Sequence, residues 1–278
     1  MKKNMQIWLV IVFVLFLFPV LIQFIPEESK ISNSKIIKEN AIIVYASNIV
    51  EEEKVEVEPE PEPASEVIEE VEVKAGKVLI YNTHSHEAYK PMTKAADGKI
   101  AVDHQTENIV IMSEKLKSLL EINGMEAEIL KKVVPHKYAY SNIRPYVKKQ
   151  LSENEYDLII DIHRDDIGPD KSTIIHEGER YAKVAFVLGL DNPSYKKNEE
   201  ITNKFKAEME KRIPGITRDV IPKGGAGVDG KYNQDLHPKL VLMELGGVGN
   251  SEDELNRTLG VVSEAIVDMF NEDEVEEK

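Results

Sequence analysis

A three-layer α/β domain with a mostly parallel sheet is the fold this sequence predicts, and three observations predict it. Val78–Tyr81, Asp157–His163 and Leu240–Leu245 are near-continuous apolar runs, the pattern of strands covered on both faces rather than one. Segments with helical spacing lie between them. Each run also hands over to ionisable residues: His84, His86 and Glu87 after the first, His163 within the second, Glu244 within the third. Ligands of open α/β sheets collect outside the carboxyl ends of the strands, so these residues are the candidate site.

The elements follow in order. After the strand Val78–Tyr81, Asn108–Glu121 sets Ile109, Met112, Leu116, Leu119 and Leu120 on one helical face and stops at Asn123-Gly124. Met125–Leu130 returns as a strand, Ser141–Leu151 is a helix containing Pro145, and Asp157–His163 completes a βαβαβ order. Ser172–His176 and Ala182–Leu188 read as two strands joined across the polar turn Glu177–Arg180. Tyr195–Arg212 is helical and Ile216–Ile221 reads as a further strand. Lys223–Asn233 is Gly-rich and irregular, and Leu240–Leu245 leads through Gly246–Gly249 into a helix over Glu252–Phe270.

The first quarter of the 278 residues does not read as globular. Ile7–Ile25 is apolar apart from Pro19 and Gln23, and ~20 such residues cross a bilayer as a helix. Lys2 and Lys3 precede it and Glu27 and Glu28 follow, which puts the N-terminus inside and the rest outside. The run exceeds a signal-peptide h-region and no Ala-x-Ala site follows, so it reads as an uncleaved anchor. Glu51–Val73, with Glu58-Pro-Glu-Pro-Glu-Pro63, is a self-repelling extended spacer. The predicted layout is a cytoplasmic 1–5, a single-pass membrane anchor 6–26, an acidic Glu/Pro-rich linker 27–74, an extracytoplasmic catalytic domain 75–271 and an acidic tail 272–278. The net charge of −15 and the lack of a basic patch exclude nucleic acid as a partner. The absence of cysteine excludes thiolate metal sites and thiol nucleophiles.

Imidazole and carboxylate donors suit zinc, whose catalytic sites take three protein ligands and keep one position for water. His84 and Glu87 can reach one ion from a loop, and His163 adds a third donor from a neighbouring strand. Glu244 is left as proton shuttle for an activated water. A carboxylate inside Leu-Val-Leu-Met-Glu-Leu is costly to bury without a partner. Asp161, Arg164 and Asp165 read as groups that orient ligands or form a local ion pair.

Tyr81-Asn-Thr-His-Ser-His-Glu-Ala-Tyr89, Asp161-Ile-His-Arg-Asp165 and Glu244-Leu-Gly-Gly-Val-Gly-Asn250 resemble the three signature blocks of the stage II sporulation protein P family of membrane-anchored cell-wall hydrolases. The resemblance covers about Lys77 to Phe270. It implies an amidase-like fold and zinc-dependent cleavage of the N-acetylmuramoyl–L-alanine amide of peptidoglycan, in sporulation or wall remodelling. It also implies endopeptidase activity on cross-links and a partner lytic transglycosylase. By position it implies His84, Glu87 and His163 as ligands and Glu244 as catalytic glutamate. Arg164, Asp165 and Asn250 would support the ligands or touch substrate. Two positions depart from the family: Asn82 stands where a His is usual, and His86 where a small polar residue is. His86 is therefore the alternative to His84, and Glu107, which resembles the ligand glutamate of the wider amidase class, is the alternative to Glu87. A catalytically silent peptidoglycan-binding head and a zinc endopeptidase of stem-peptide cross-links are the competing readings.

Overall fold

Apolar runs at the predicted positions become the centre of one sheet. The computed structural model describes residues 76–276. The predicted anchor 6–26 and linker 27–74 lie outside them, and among the described residues no helix is long and apolar enough to cross a membrane. The chain runs β1 (Lys77–Tyr81), α1 (Lys90–Asp97), α2 (Ile109–Ile122), β2 (Glu126–Ile129), α3 (Ala139–Glu153), β3 (Leu158–Asp165) and a single turn α4 (Pro169–Ser172). It continues through β4 (Thr173–His176), β5 (Glu179–Ala182), β6 (Val184–Gly189), α5 (Tyr195–Arg212), β7 (Ile221–Lys223), β8 (Leu240–Gly247) and α6 (Glu252–Glu276).

Sheet order is β2-β1-β3-β8-β6-β7. β2, β1, β3 and β8 are mutually parallel, and β6 runs antiparallel to β8. The predicted α/β class and mostly parallel sheet are observed. From β1 the chain adds β2 on one side and then β3 on the other, so the order reverses at β1/β3. A crevice opens at such a reversal, at the carboxyl ends of the strands.

Side-chain alternation assigns the faces. Val78, Ile80, Ile160, Ile162, Val241 and Met243 join α2, α5 and α6 in the larger core. Leu79, Tyr81, Ile159 and Leu240 meet Ile143 and Val147 of α3 in a smaller core on the opposite face. Asp161, His163 and Glu244 share the alternation of Ile159 and Leu240, so they emerge on the α3 side. Asn108 caps α2 by accepting from Val110 N at 3.0 Å, and Ile109, Met112, Leu116 and Leu120 are fully buried. Each contributes about 1.5–3 kcal/mol of burial.

Two predicted elements are corrected. Ala182–Leu188 is not the partner of Ser172–His176. The partner is β5, joined to β4 through Glu177 (φ 50°) and Gly178 (φ 83°), a two-residue turn that closes a hairpin well before the apolar run begins. Val184–Gly189 is instead a separate strand of the main sheet. Ile216–Ile221 is not one strand either: Thr217 makes an isolated bridge to Val184, and pairing resumes only at Ile221–Lys223. The helix α1 was not anticipated. α6 continues through Glu276, so the predicted tail 272–278 begins inside a helix.

The break after α5 is held by a carboxylate. Glu210 accepts from Gly215 N at 2.6 Å, Thr217 N at 2.7 Å and the Thr217 hydroxyl. Burial alone would push this carboxyl up, but the three donors outweigh it and hold the group below its ordinary value. Glu210→Gln is expected to cost about 1 kcal/mol at neutral pH, after allowing for solvent exposure. Because the folded value is the lower one, the stabilisation is complete above the unfolded glutamate value of about 4.3 and is lost as pH falls through the folded one. Urea midpoints of the two proteins should therefore differ at pH 7 and converge in acid.

Candidate active site

Strand β1 stops at Tyr81, and residues 83–86 form a turn in which Glu87 N donates to His84 O at 3.1 Å. His84 and Glu87 therefore sit three positions apart on one turn. His84 and His86 both lie on this turn and not on one face of a strand. Ala88 N to Val102 O (2.8 Å), His104 N to His86 O (2.9 Å) and Ile109 N to Glu87 O (2.7 Å) pin this turn against the chain leading into α2.

His163 lies between three of the predicted residues. Its Nδ1 is 3.6 Å from Glu87 Oε2 and its Nε2 is 3.1 Å from Asp161 Oδ1, the latter off hydrogen-bond alignment. Its ring is 5.3 Å from that of His84. Asp161 is held by Thr83 N (2.9 Å) and Thr83 Oγ1 (2.6 Å), and Glu87 also accepts from Arg164 N at 2.9 Å. Glu244 pairs directly across from His163, and the β3–β8 register shifts just beyond that pair. Such irregularities re-aim side chains next to active sites. Gly246 (φ 65°) lies at the end of β8, where a Cβ would meet Asn250 Oδ1 at 2.8 Å.

Three of these residues carry a buried atom without a hydrogen-bond partner among the described residues: His84 Nδ1, Glu244 Oε2 and His163 Nε2, the last facing Asp161. Burial lowers the pKa of His84, with His163 adding to the effect, and this keeps its lone pair free. Burial would lower His163 as well, but Asp161 and Glu87 override it and raise the imidazole well above its ordinary value. Burial likewise pushes Glu244 up to about 7, with Glu87 and Asp165 adding to it against the pull of His163 and Arg164. The centre is thus a buried, carboxylate-rich group that calls for a cation.

The donors fit a metal in kind. Two ligands ~2.0–2.1 Å from a tetrahedral ion stand ~3.4 Å apart, close to the 3.6 Å between His163 Nδ1 and Glu87 Oε2. Asp161 beside Nε2 is the carboxylate that fixes a ligand histidine's tautomer. Among the described residues, however, no three such side chains close around one ion position.

The side chains of the other predicted residues make no hydrogen bond or ion pair with His163. His86 and His104 line a cavity of about 440 Å³ with His84, Glu87, Asp103 and His136. Glu107 donates its backbone N–H to His104 Nδ1 at 2.9 Å, and no hydrogen bond or ion pair ties its carboxylate to the described residues of the cluster. Arg164 turns its guanidinium to Asp165 O (3.1 Å) and Val102 O (3.3 Å), and Asp165 pairs with Arg218. Asn250 accepts from Gly247 N and donates to Thr173 and Glu254, bracing the turn after β8. Asn82 spans Ile162 O and Ser113. Sequence reasoning missed His136, whose ring is 4.6 Å from His84, and Tyr140, 5.6 Å from His84 and 6.0 Å from His163. Their only sequence signal is a Tyr- and Pro-containing segment at the entry to the predicted helix Ser141–Leu151.

Ionisable residues at the carboxyl ends of parallel strands, where the strand order reverses, place this chain among the open α/β domains that carry a site at the sheet crevice. The pattern of the family Stage II sporulation protein P (SpoIIP) matches residues 21–267, and the chain belongs to this family. It is 32% identical over 203 residues to stage II sporulation protein P of Bacillus subtilis (strain 168), covering 69% of this chain and 51% of that protein. The chain thus spans about half the length of its curated relative. Among solved structures it is similar to the CwlD amidase of Clostridioides difficile in complex with the GerS lipoprotein (13% identity, 70% of this chain and 98% of that one, TM-score 0.46). It is also similar to an N-acetylmuramyl-L-alanine amidase of Mycobacterium smegmatis (10% identity, 71% and 98%, TM-score 0.45).

Proposed function

We propose that this domain is a metal-dependent peptidoglycan hydrolase that cleaves the amide between N-acetylmuramic acid and L-alanine, in sporulation or wall remodelling. The observation that carries the reading is the juxtaposition of Glu87 with His163, of His163 with His84 and of Glu244 with His163 across the β3–β8 pair, with unpartnered buried atoms on His84 and Glu244. Family membership supports it. His84, Glu87 and His163 would hold zinc, with Asp161 keeping the proton on the far nitrogen of His163. When bound, the ion supplies Lewis acidity and lowers the pKa of a coordinated water to roughly 7.

The remaining steps belong to the chain. Glu244 Oε2 accepts the proton of the attacking water as the C–O bond forms and the carbonyl carbon becomes tetrahedral, then returns it to the alanine nitrogen as the C–N bond breaks, which releases the carboxylate and the free amine. With 6–26 as membrane anchor and 27–74 as spacer, the domain works on the wall from the outer face of the membrane. A lytic transglycosylase partner would open the glycan strands that this domain strips of peptide.

The test uses the full-length chain on purified sacculi, with zinc added or removed by chelator. New L-alanine amino termini on intact glycan are expected with zinc, absent after chelation and restored by added zinc. New termini within cross-links would assign an endopeptidase instead, and wall binding without cleavage would leave only the silent head.

A further inference from the structure

We infer that Tyr140 is a catalytic hydrogen-bond donor, its phenol stabilising the oxygen of the scissile carbonyl as the carbon becomes tetrahedral. The inference rests on the hydrolase reading above and adds a residue to it. α3 follows β2 and runs back over the sheet, so its first turn lies at the carboxyl edge of the strands. Tyr140, Ile143 and Val147 recur at helical spacing. The last two enter the smaller core, and Tyr140 is left above the cluster.

The ring is fixed from several sides. It stacks on His163 (6.0 Å, 18°) and stands edge-on to His84 (5.6 Å, 89°) and to Tyr232 (5.1 Å, 86°). Its carbonyl accepts from Asn233 Nδ2 at 3.0 Å, and one turn on Arg144 makes a two-pronged pair with Asp235 (2.8 and 2.7 Å). These ties bind the start of α3 to the Gly-rich loop. Gly230 sits in that loop at φ 73°, a left-handed conformation that glycine adopts without strain, and a Cβ there would meet the Asp191 carboxylate. Tyr232 itself sits at φ 52°, a left-handed conformation that a bulky residue adopts only where its surroundings hold it.

The position of Tyr140 is over-determined while its phenol is unspent: no hydrogen bond from it to any described residue is present. A phenol is a neutral donor at pH 7. A preorganised donor aimed at developing oxyanion charge is worth about 10²–10³ in kcat. The Gly-rich loop and the α3 entry thus acquire a shared task, that of holding one donor still.

The experiment compares wild type, Tyr140→Phe and the control Tyr146→Phe on solubilised peptidoglycan fragments. Tyr146 is exposed on the same helix. Tyr140→Phe is expected to lower kcat by about 10²-fold, with KM, zinc content and thermal midpoint near wild type. It should also weaken a phosphinate analogue of the muramoyl–alanine amide by a similar factor, while Tyr146→Phe behaves as wild type. Active wild type with an equally active Tyr140→Phe would overturn the Tyr140 assignment alone. A folded variant whose KM rises at constant kcat would overturn it too, because Tyr140 would then serve ground-state binding. A zinc-loaded wild type unable to cut the amide would overturn the hydrolase reading and this inference with it.

Discussion

Glu244→Gln is expected to retain zinc and lose amide cleavage by about 10³-fold or more. The side chain stands opposite His163 across the β3–β8 pair and has an unpartnered buried Oε2. Gln has the same shape and can fill the same space, so packing around Leu242 and Leu245 should survive. What it cannot do is accept a proton. General base and acid roles are each worth about 10²–10⁴, and one group serving both makes the loss steep. Burial also pushes Glu244 up to about 7, where a carboxyl both takes and returns a proton near neutral pH. Metal analysis and single-turnover release of L-alanine termini check the result. Retained turnover with full zinc would remove Glu244 from the shuttle role, and lost zinc would move it among the ligands.

The strand ends were legible because parallel strands buried on both faces cannot hide a charge cheaply: Asp161, His163 and Glu244 interrupt apolar runs where desolvation would be costly without a partner. The helices α2, α5 and α6 were legible for the complementary reason, since each buries one apolar stripe. The turn after β1 was not legible, because a two-residue period and a three-residue turn both put His84 near its neighbours. Only the hydrogen bond from Glu87 N to His84 O makes the second choice. His136 and Tyr140 were invisible for another reason. Their contribution depends on the course of α3 over the smaller core, a long-range fact that local spacing does not encode. The hairpin error has the same root: Glu177 and Gly178 close a tight turn, but whether the next apolar run joins the hairpin or the main sheet depends on pairing with β8. Asn250 read as a site residue through its motif, yet its amide is consumed by the turn that follows Glu244.

Glu87→Gln and Glu107→Gln should separate sharply in zinc affinity. Glu87 brings its carboxylate to 3.6 Å from His163 Nδ1 and is oriented there by Arg164 N, while Glu107 offers the cluster no side-chain contact. Burial alone would raise Glu87, but His163 and the Arg164 amide pull it below its ordinary value, so it is the ionised donor a cation needs. An amide in its place keeps one weak oxygen and loses the charge. Since even outer-shell changes cost 10–100-fold in metal affinity, loss of a ligand carboxylate should cost about 10²-fold or more. Glu107→Gln should stay within about threefold of wild type, as expected of an isosteric change with no hydrogen bond or ion pair from its carboxylate to the described residues of the cluster. Competition against a zinc chelator of known affinity, run on both variants with cleavage measured at saturating zinc, reads the difference. A Glu107 variant that loses zinc while Glu87→Gln keeps it would shift the ion towards the start of α2. Glu87 would then be left as the group that holds His163 in place, because its contact with Nδ1 would remain the only interaction it makes with the imidazoles by direct approach.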